Sequence, residues 1–207
     1  MTTYAGVPLQ IKAYREKLAG ALELPAMDVV PALAEALREA WRLGRTVYFC
    51  GNGGSAANAI HLANDFLYGA GISNGIGLKV EALSANSAVI TSLANDVGYE
   101  DVFAEQLRVK AAAGDILIVL SGSGNSANVV KALEMGNTKG MRTFAILGYA
   151  GGRCKQIAQH PIHFAIDDMQ VSEDLQLVVG HMCMQWLKAN PINSGRTGAG
   201  DGPSAAS

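Results

Sequence analysis

Four side chains able to bind a metal ion or transfer a proton lie in two apolar segments of the 207-residue chain. His61 and Asp65 are four residues apart, and Glu173 and His181 are eight residues apart. At helical periodicity, each pair lies close to one face of its helix. Imidazole and carboxylate ligands suit zinc best, with nickel, cobalt or manganese as alternatives. The same groups would also serve a metal-free acid–base pair, Asp65 with His181.

Each of these residues also has a purely structural interpretation. A histidine in an apolar helix is often a core or interface residue, and Glu173 would be stabilised by the helix dipole in a first turn. His181, however, lies within LVVGHMCMQWL, where an ionisable side chain is costly unless it has a partner. This context favours a functional site that His181 shares with the other three residues.

Two glycine- and serine-rich stretches each follow an apolar segment of strand length. GNGGS (51–55) follows TVYFC, and SGSGNS (121–126) follows DILIVL. Backbone N–H groups at such helix N-termini bind anions, and the serine hydroxyls add donors without charge. Neither stretch contains lysine or matches the dinucleotide or P-loop fingerprints. Two tight turns with Ser55 and Ser126 as helix caps would be the structural alternative. The pair of loops favours a phosphomonoester site.

The elements that must position these residues alternate between strand and helix. Continuous apolar segments predict strands at 46–50, 78–83, 115–120, 142–147 and 161–166, and helices are predicted at 9–22, 27–43, 55–68, 87–95, 101–112, 126–139 and 171–188. Strands that are apolar throughout are typical of a parallel sheet covered on both faces. The prediction is an α/β fold, a doubly wound five-stranded parallel sheet flanked by helices, preceded by two N-terminal helices within residues 1–44. Residues 1–190 would form one domain, and the Gly/Ser-rich residues 191–207 a disordered tail.

The motifs in this order resemble the sugar isomerase (SIS) domain family, which has a flavodoxin-like fold. The resemblance is carried by GNGGS, SGSGNS and LANDVGYEDVF (93–103). The two N-terminal helices and EDLQLVVGH (173–181) make roughly residues 5–190 similar to the bacterial phosphoheptose isomerases within that family. The resemblance implies a phosphosugar aldose–ketose isomerase that converts sedoheptulose 7-phosphate to D-glycero-D-manno-heptose 7-phosphate through an enediol. It also implies a homotetramer with a helical bundle between subunits.

The resemblance also assigns residues. Asp65 and His181 match the base and the acid, and some family members hold zinc at the positions of His61, Asp65, Glu173 and His181. The residues matching substrate-binding positions are Asn52, Gly53, Gly54, Ser55, Asn95, Asp96, Ser121, Gly122, Ser123 and Ser126. Asp65 stands where the family usually has glutamate, and Glu173 where it has glutamine. The two changes are interpreted as compensating, with Glu173 sharing the role of base and Asp65 acting as a ligand.

Two other functions remain open at this point. A protein of this fold can bind phosphosugars without catalysis, and one relative of the phosphoheptose isomerases associates with the replication initiator protein. Retention of His61 and His181 favours an enzyme. An isomerase for another ketose phosphate is the third possibility, because the loops fix the phosphate and the segment 69–83, where chain length would be sensed, has no readable specificity.

Composition places the chain among ordinary globular proteins. It is 49% hydrophobic and 16% charged, with a formal net charge of −2 and a pI near 6.1. An electrostatic nucleic-acid binder would usually be basic, so no nucleic-acid partner is expected. No membrane partner is expected either, since no apolar run reaches about 18–20 residues and the N-terminus has no apolar signal core. The three scattered cysteines are expected to be buried thiols in a cytoplasmic protein.

Overall fold

The computed structural model describes residues 7–71 and 76–192, and side chains from residue 9 onward. Within these residues the strands are β1 Thr46–Cys50, β2 Lys79–Ala82, β3 Ile116–Ser121, β4 Arg142–Leu147 and β5 His160–His163. The α-helices are α1 Val7–Ala21, α2 Val30–Leu43, α3 Gly54–Tyr68, α4 Ser87–Asp96, α5 Ala104–Lys110, α6 Ala127–Thr138, α7 Gly152–Ile157 and α8 Met169–Ala189. Short 3-10 turns occur at Pro25–Val29, Gly69–Gly71 and Tyr99–Asp101.

The five strands form one parallel sheet in the order β2-β1-β3-β4-β5. This is the flavodoxin-like strand order, in which the chain reverses its direction of winding between β1 and β3. β3 is buried over its whole length, and all but the first residue of β1 and β4 is buried. Continuous burial explains the continuous apolar strand sequences. The predicted five-stranded parallel sheet is confirmed.

Each face of the sheet packs against its own layer of helices. One core contains Phe49, Ile118 and Phe144 from the sheet together with buried side chains of α2, α3 and α8. The other contains Leu117 and Val119 with side chains of α5, α6 and α7. Successive residues of a strand point to opposite faces, so β3 supplies both cores. The layer of α2, α3 and α8 carries His61, Asp65, Glu173 and His181.

The structure differs from the predicted elements in several places. Residues 25–29 form a 3-10 turn, and α2 begins at Val30 with Pro31 in its first turn, where a missing N–H costs nothing. Helix α7 was not predicted, because it is six residues long and buries only Cys154. The predicted tail lies outside the described residues except for Pro191 and Ile192. None of the helices within residues 7–71 and 76–192 has the length and hydropathy that a membrane crossing requires.

Candidate active site

A cavity of about 270 Å³ opens where β1 and β3 end, at the point where the strand order reverses. Open α/β sheets bind ligands at this position. The first loop supplies Asn52, Gly53, Gly54 and Ser55, the second supplies Ser121, Gly122, Ser123 and Ser126, and the wall is completed by Leu120, Met169 and Glu173. Both loops predicted from the sequence therefore line one cavity. Eight of the ten predicted substrate-binding residues lie here, and the two outside are Asn95 and Asp96.

The first loop brings a glycine against the carboxylate of Glu173. Gly53 has φ 56° and precedes α3, which begins at Gly54. A Cβ at Gly54 would overlap the Glu173 carboxylate, so a larger residue there would displace the end of the Glu173 side chain from this position. Ser55 is buried inside α3, and its Oγ accepts a hydrogen bond of 3.0 Å from Gln176 Nε2. Ser55 is thus held from α8 and is not a helix cap.

The second loop leaves hydroxyl groups at the start of α6. Ser121 Oγ accepts the Gly124 N–H at 3.0 Å, and Ser123 Oγ accepts the Asn125 N–H at 3.3 Å. Ser126 occupies the N-cap position of α6, but its side chain makes no capping hydrogen bond. Because a serine hydroxyl retains its own O–H when it accepts a bond, these side chains still have a donor for an anion. The capping alternative is therefore not realised for either Ser55 or Ser126.

His61, Asp65 and His181 come together on the outer side of the α3–α8 pair. His61 Nε2 lies 3.0 Å from His181 Nε2, and Asp65 Oδ2 lies 3.5 Å from His61 Nε2 and 3.3 Å from His181 Nε2. The two imidazole rings meet edge to face, with centroids 5.2 Å apart. Gly180 permits this approach, since a Cβ there would overlap Leu62 of α3.

These three ligand atoms fit a divalent cation. They all lie within 4.8 Å of one another, and both histidine side chains are partly accessible, at 49% and 41%. Zinc–nitrogen and zinc–oxygen bonds of about 2.0–2.2 Å in a tetrahedron place neighbouring ligand atoms roughly 3.3–3.5 Å apart. The observed separations of 3.0, 3.3 and 3.5 Å are close to that edge length.

Glu173 is not a member of this group of three. Eight residues along α8 correspond to about 12 Å of rise between Glu173 and His181. The carboxylate lines the cavity beside Gly54 instead. The sequence suggested that Asp65 and Glu173 bind one ion, but within one chain the two carboxylates are apart. Asp65 lies beside the two imidazoles, and Glu173 lines the cavity.

Asn95 and Asp96 lie at the end of α4, away from the cavity lining. Asn95 Nδ2 donates to Asp96 Oδ1 at 2.7 Å, and both residues are exposed. The chain that follows them nevertheless returns to the site, because the Tyr99 hydroxyl donates to Asn52 Oδ1 at 2.9 Å. Their predicted contact with substrate remains a prediction.

The start of α8, which carries Met169 and Glu173 to the cavity, is held by charged groups. Asp168 is the N-cap of α8, and its side chain accepts the Val171 N–H at 3.2 Å. Its other oxygen accepts from Lys17 Nζ at 2.5 Å. The hydrogen bond from Lys17, together with the backbone bond from Val171, lowers the pKa of Asp168. The capping carboxylate therefore stays ionised at pH values below its usual pKa.

Four residues at the site were missed by the sequence analysis. Gln176 positions Ser55, Asn128 and Tyr99 contact Asn52, and Met169 lines the cavity. Gln176 and Asn128 are nearly fully buried, at 1% and 2% exposure, yet a single sequence does not reveal burial of a polar residue. The one available signal was the spacing of Gln176 from Glu173, since i and i+3 are neighbours on a helix.

The SIS domain family model matches residues 12–148. The phosphoheptose isomerase of Akkermansia muciniphila is 37% identical over 77% of this chain and 84% of its own length. That of Chlorobaculum tepidum is 36% identical over 90% of each chain.

Solved structures give the same result for the fold. The phosphoheptose isomerase from Neisseria gonorrhoeae superposes with a TM-score of 0.81 at 25% identity, covering 88% of this chain and 97% of that one. The phosphoheptose isomerase from Francisella tularensis superposes with a TM-score of 0.83 at 23% identity, covering 91% and 100%. The chain belongs to the phosphoheptose isomerase family of SIS-domain proteins.

Proposed function

We propose that this protein is an aldose–ketose isomerase that converts sedoheptulose 7-phosphate to D-glycero-D-manno-heptose 7-phosphate. The observation that carries the proposal is one cavity lined by the hydroxyl-rich loop at the start of α6 and by the Glu173 carboxylate. The relatives named above are phosphoheptose isomerases, which supports this substrate. The cavity thus combines an anion-binding loop with a group able to move a proton.

The phosphate group would bind at the second loop. The hydroxyls of Ser121, Ser123 and Ser126 donate to its oxygens, and α6, a helix of 12 residues, directs its positive end toward them. Neutral donors bind a phosphate without fixing a counter-charge in the cavity. Asn52, Gly53, Gly54 and Ser55 would face the sugar hydroxyls from the first loop.

In this proposal Glu173 transfers the proton, because it lines the same cavity as the hydroxyl-rich loop. Its carboxylate removes a proton from C1 of the ketose, and the C1–C2 enediol forms as the C2 carbonyl oxygen gains a proton. Return of the carbon-bound proton to C2, with loss of the proton on the C1 oxygen, gives the C1 aldehyde. Asp65 with His181 is the alternative acid–base pair.

His61, Asp65 and His181 would hold a divalent metal ion, zinc before nickel, cobalt or manganese. When bound, zinc would supply a Lewis acid able to polarise a carbonyl and stabilise an enediolate. Within one chain none of its three ligands lines the cavity, so zinc would reach a substrate only in the proposed homotetramer. The support for this cofactor is the spacing of the three ligand atoms. In that arrangement Asp65 is a ligand, which leaves Glu173 as the carboxylate available for proton transfer.

We also propose that the protein is a cytoplasmic homotetramer, as the family resemblance implies. Cys50, Cys154 and Cys183 are buried free thiols, which fits a reducing compartment. Burial raises the pKa of Cys154 and Cys183 to about 12, so these thiols are unreactive near neutral pH.

Incubating the purified protein with sedoheptulose 7-phosphate and following the anomeric proton region by NMR tests the activity. Appearance of the aldose heptose phosphate, absent without protein, is the expected result. Fructose 6-phosphate and ribulose 5-phosphate, supplied in parallel, test the alternative of another ketose phosphate. Binding of sedoheptulose 7-phosphate without turnover would instead identify a phosphosugar-binding regulator, the second class of function that the sequence left open.

A further inference from the structure

Asn52 is the centre of a hydrogen-bond network that extends from the cavity to α6 and to the turn after α4. Its Nδ2 donates to Asn128 Oδ1 at 2.8 Å, and its Oδ1 accepts from Asn128 Nδ2, also at 2.8 Å. The Tyr99 hydroxyl donates to the same Asn52 Oδ1 at 2.9 Å. Neither Asn128 nor Tyr99 lines the cavity.

A backbone group fixes the direction of every bond in this network. The Val129 N–H can only donate, and it donates to Asn128 Oδ1 at 2.9 Å. Asn128 Oδ1 is therefore the acceptor of its amide, and Asn128 Nδ2 must be the donor to Asn52. Because Asn128 is only 2% exposed, water cannot readily replace these partners.

Among residues 7–71 and 76–192, the network leaves one hydrogen-bonding group of the Asn52 side chain without a partner. A side-chain amide has two N–H donors and an oxygen with two acceptor sites. Both acceptor sites of Asn52 Oδ1 are occupied, by Asn128 and Tyr99, and one of the two N–H groups is donated to Asn128. The second N–H is left for a ligand, so Asn52 meets the cavity as a donor only.

We infer that Tyr99 and Asn128 are positioning residues that lock Asn52 as a single N–H donor toward the cavity. The ligand atom opposite Asn52 is then an oxygen that accepts, a hydroxyl or phosphate oxygen of the sugar phosphate. This inference rests on the proposed function for the identity of the ligand, but the lock itself is a property of the free protein. It assigns a role in binding to Tyr99, a residue outside the cavity.

A double-mutant cycle between Tyr99→Phe and Asn52→Ala tests the role in binding. Tyr99→Phe removes one hydrogen bond to the Asn52 oxygen, and we expect KM for sedoheptulose 7-phosphate to rise about three- to tenfold with kcat within twofold. In the Asn52→Ala background the same substitution should change KM by less than twofold. Thr138→Val, which removes an exposed hydroxyl at the end of α6, is the control and should leave both constants unchanged. An equal effect of Tyr99→Phe in both backgrounds would overturn the inference.

A second readout needs no substrate. The Asn52 side-chain amide signal, identified in ¹⁵N–¹H spectra by its loss in Asn52→Ala, should exchange slowly with water in the wild type and at least severalfold faster in Tyr99→Phe. Unchanged exchange would overturn the lock even if the enzyme is active. The wild type could also prove inactive while its Asn52 amide exchanges slowly and the exchange becomes faster in Tyr99→Phe. That result would reject the proposed activity but support the positioning of Asn52 by Tyr99.

Discussion

Two carboxylates of the site have different surroundings, and this difference predicts different roles. Asp65 Oδ2 lies within 3.5 Å of two imidazole nitrogens, an environment of metal ligands. Glu173 faces the cavity beside Gly54 and is absent from that group. A carboxylate ligand must lie close to the other ligands of the metal, whereas a base must reach a proton on a substrate carbon. Loss of either carboxylate should therefore be distinguishable by metal content.

Glu173→Gln should lower kcat by about a hundredfold or more while bound zinc stays near one per chain, because only the proton acceptor is lost. Asp65→Asn should lower both zinc content and kcat, because a ligand charge is lost. Steady-state kinetics with elemental analysis of protein purified without chelator measures both quantities.

Glu134→Gln, an equal change of charge on the exposed face of α6, serves as the control and should alter neither quantity. Turnover within about twofold of wild type in both site variants would contradict any catalytic role for these carboxylates. A metal-free protein that is fully active in EDTA would contradict the zinc proposal.

The spacing in the sequence predicted that His61 and Asp65 are neighbours, but it did not predict which of the four residues lie together. His61 and Asp65 are one helical turn apart, and a spacing of i, i+4 makes them neighbours whatever surrounds the helix. Glu173 and His181 lie close to one face of α8 but are about 12 Å apart along its axis. Their spacing alone does not show whether their side chains could bind the same ion. The approach of α8 to α3 at Gly180 decided which residues met, and such packing is not encoded in spacing.

At the scale of elements, α1 is attached to the beginning of α8 by two polar contacts. Lys17 pairs with Asp168, the N-cap, and the Tyr14 hydroxyl donates to Asp174. Burial, followed by the hydrogen bond to Asp174 and the charges of Asp174 and Asp168, raises the pKa of Tyr14 to about 12. Since Asp174 adjoins Glu173, these contacts fix the helical turn that carries the proposed base.

The raised pKa of Tyr14 predicts a loss of stability in alkali. The neutral phenol is favoured in the folded state, so its contribution is complete below pH 10, the ordinary pKa, and is lost as pH rises toward 12. Urea unfolding should show Tyr14→Phe less stable than wild type by about 1 kcal/mol at pH 7, a modest value for a partly exposed hydrogen bond. The difference should shrink or vanish by pH 11.5.

Tyr68→Phe, made at an exposed tyrosine, should show no such convergence with wild type across the same range. The difference in free energy of unfolding between Tyr14→Phe and wild type could instead stay constant from pH 7 to pH 11.5. That result would contradict a raised pKa of Tyr14 in the folded state.

β1, β3 and β4 were predicted within one residue, because a buried parallel strand has a continuous apolar sequence. The edge strand β2 was also predicted within one residue, although only Ala82 in it is buried. The other edge strand, β5, was predicted at 161–166 but pairs with β4 only from His160 to His163. α7 escaped prediction because six residues with one buried side chain leave no periodic signal. The central strands could therefore be predicted from their continuous apolar sequence, whereas the end of β5 and the short helix α7 could not.

At the scale of the whole molecule, apolar side chains remain exposed on the layer that carries the histidines. Ile60, Leu67 and Tyr68 of α3 are 44%, 56% and 71% exposed, and Met182 and Trp186 of α8 are 40% and 36% exposed. An apolar cavity lined by Val30, Pro31, Ala34, Glu35, Met182, Cys183 and Trp186 lies in the same layer, between α2 and α8. A surface of this kind typically marks a protein–protein contact.

The proposed homotetramer would have about four times the chain mass of 21.6 kDa, and we expect it to associate through this layer. Leu67→Glu places a charge among the exposed apolar side chains of α3 and should shift the mass toward monomer or dimer, because an unpaired charge is costly in a desolvated contact. Val109→Glu is the matched control: Val109 is 77% exposed on α5, in the opposite layer, and its substitution should leave the mass unchanged. Multi-angle light scattering at micromolar concentration measures all three proteins. A monomeric wild type would refute the tetramer, and an equal response to both substitutions would place the contact outside the α3–α8 layer.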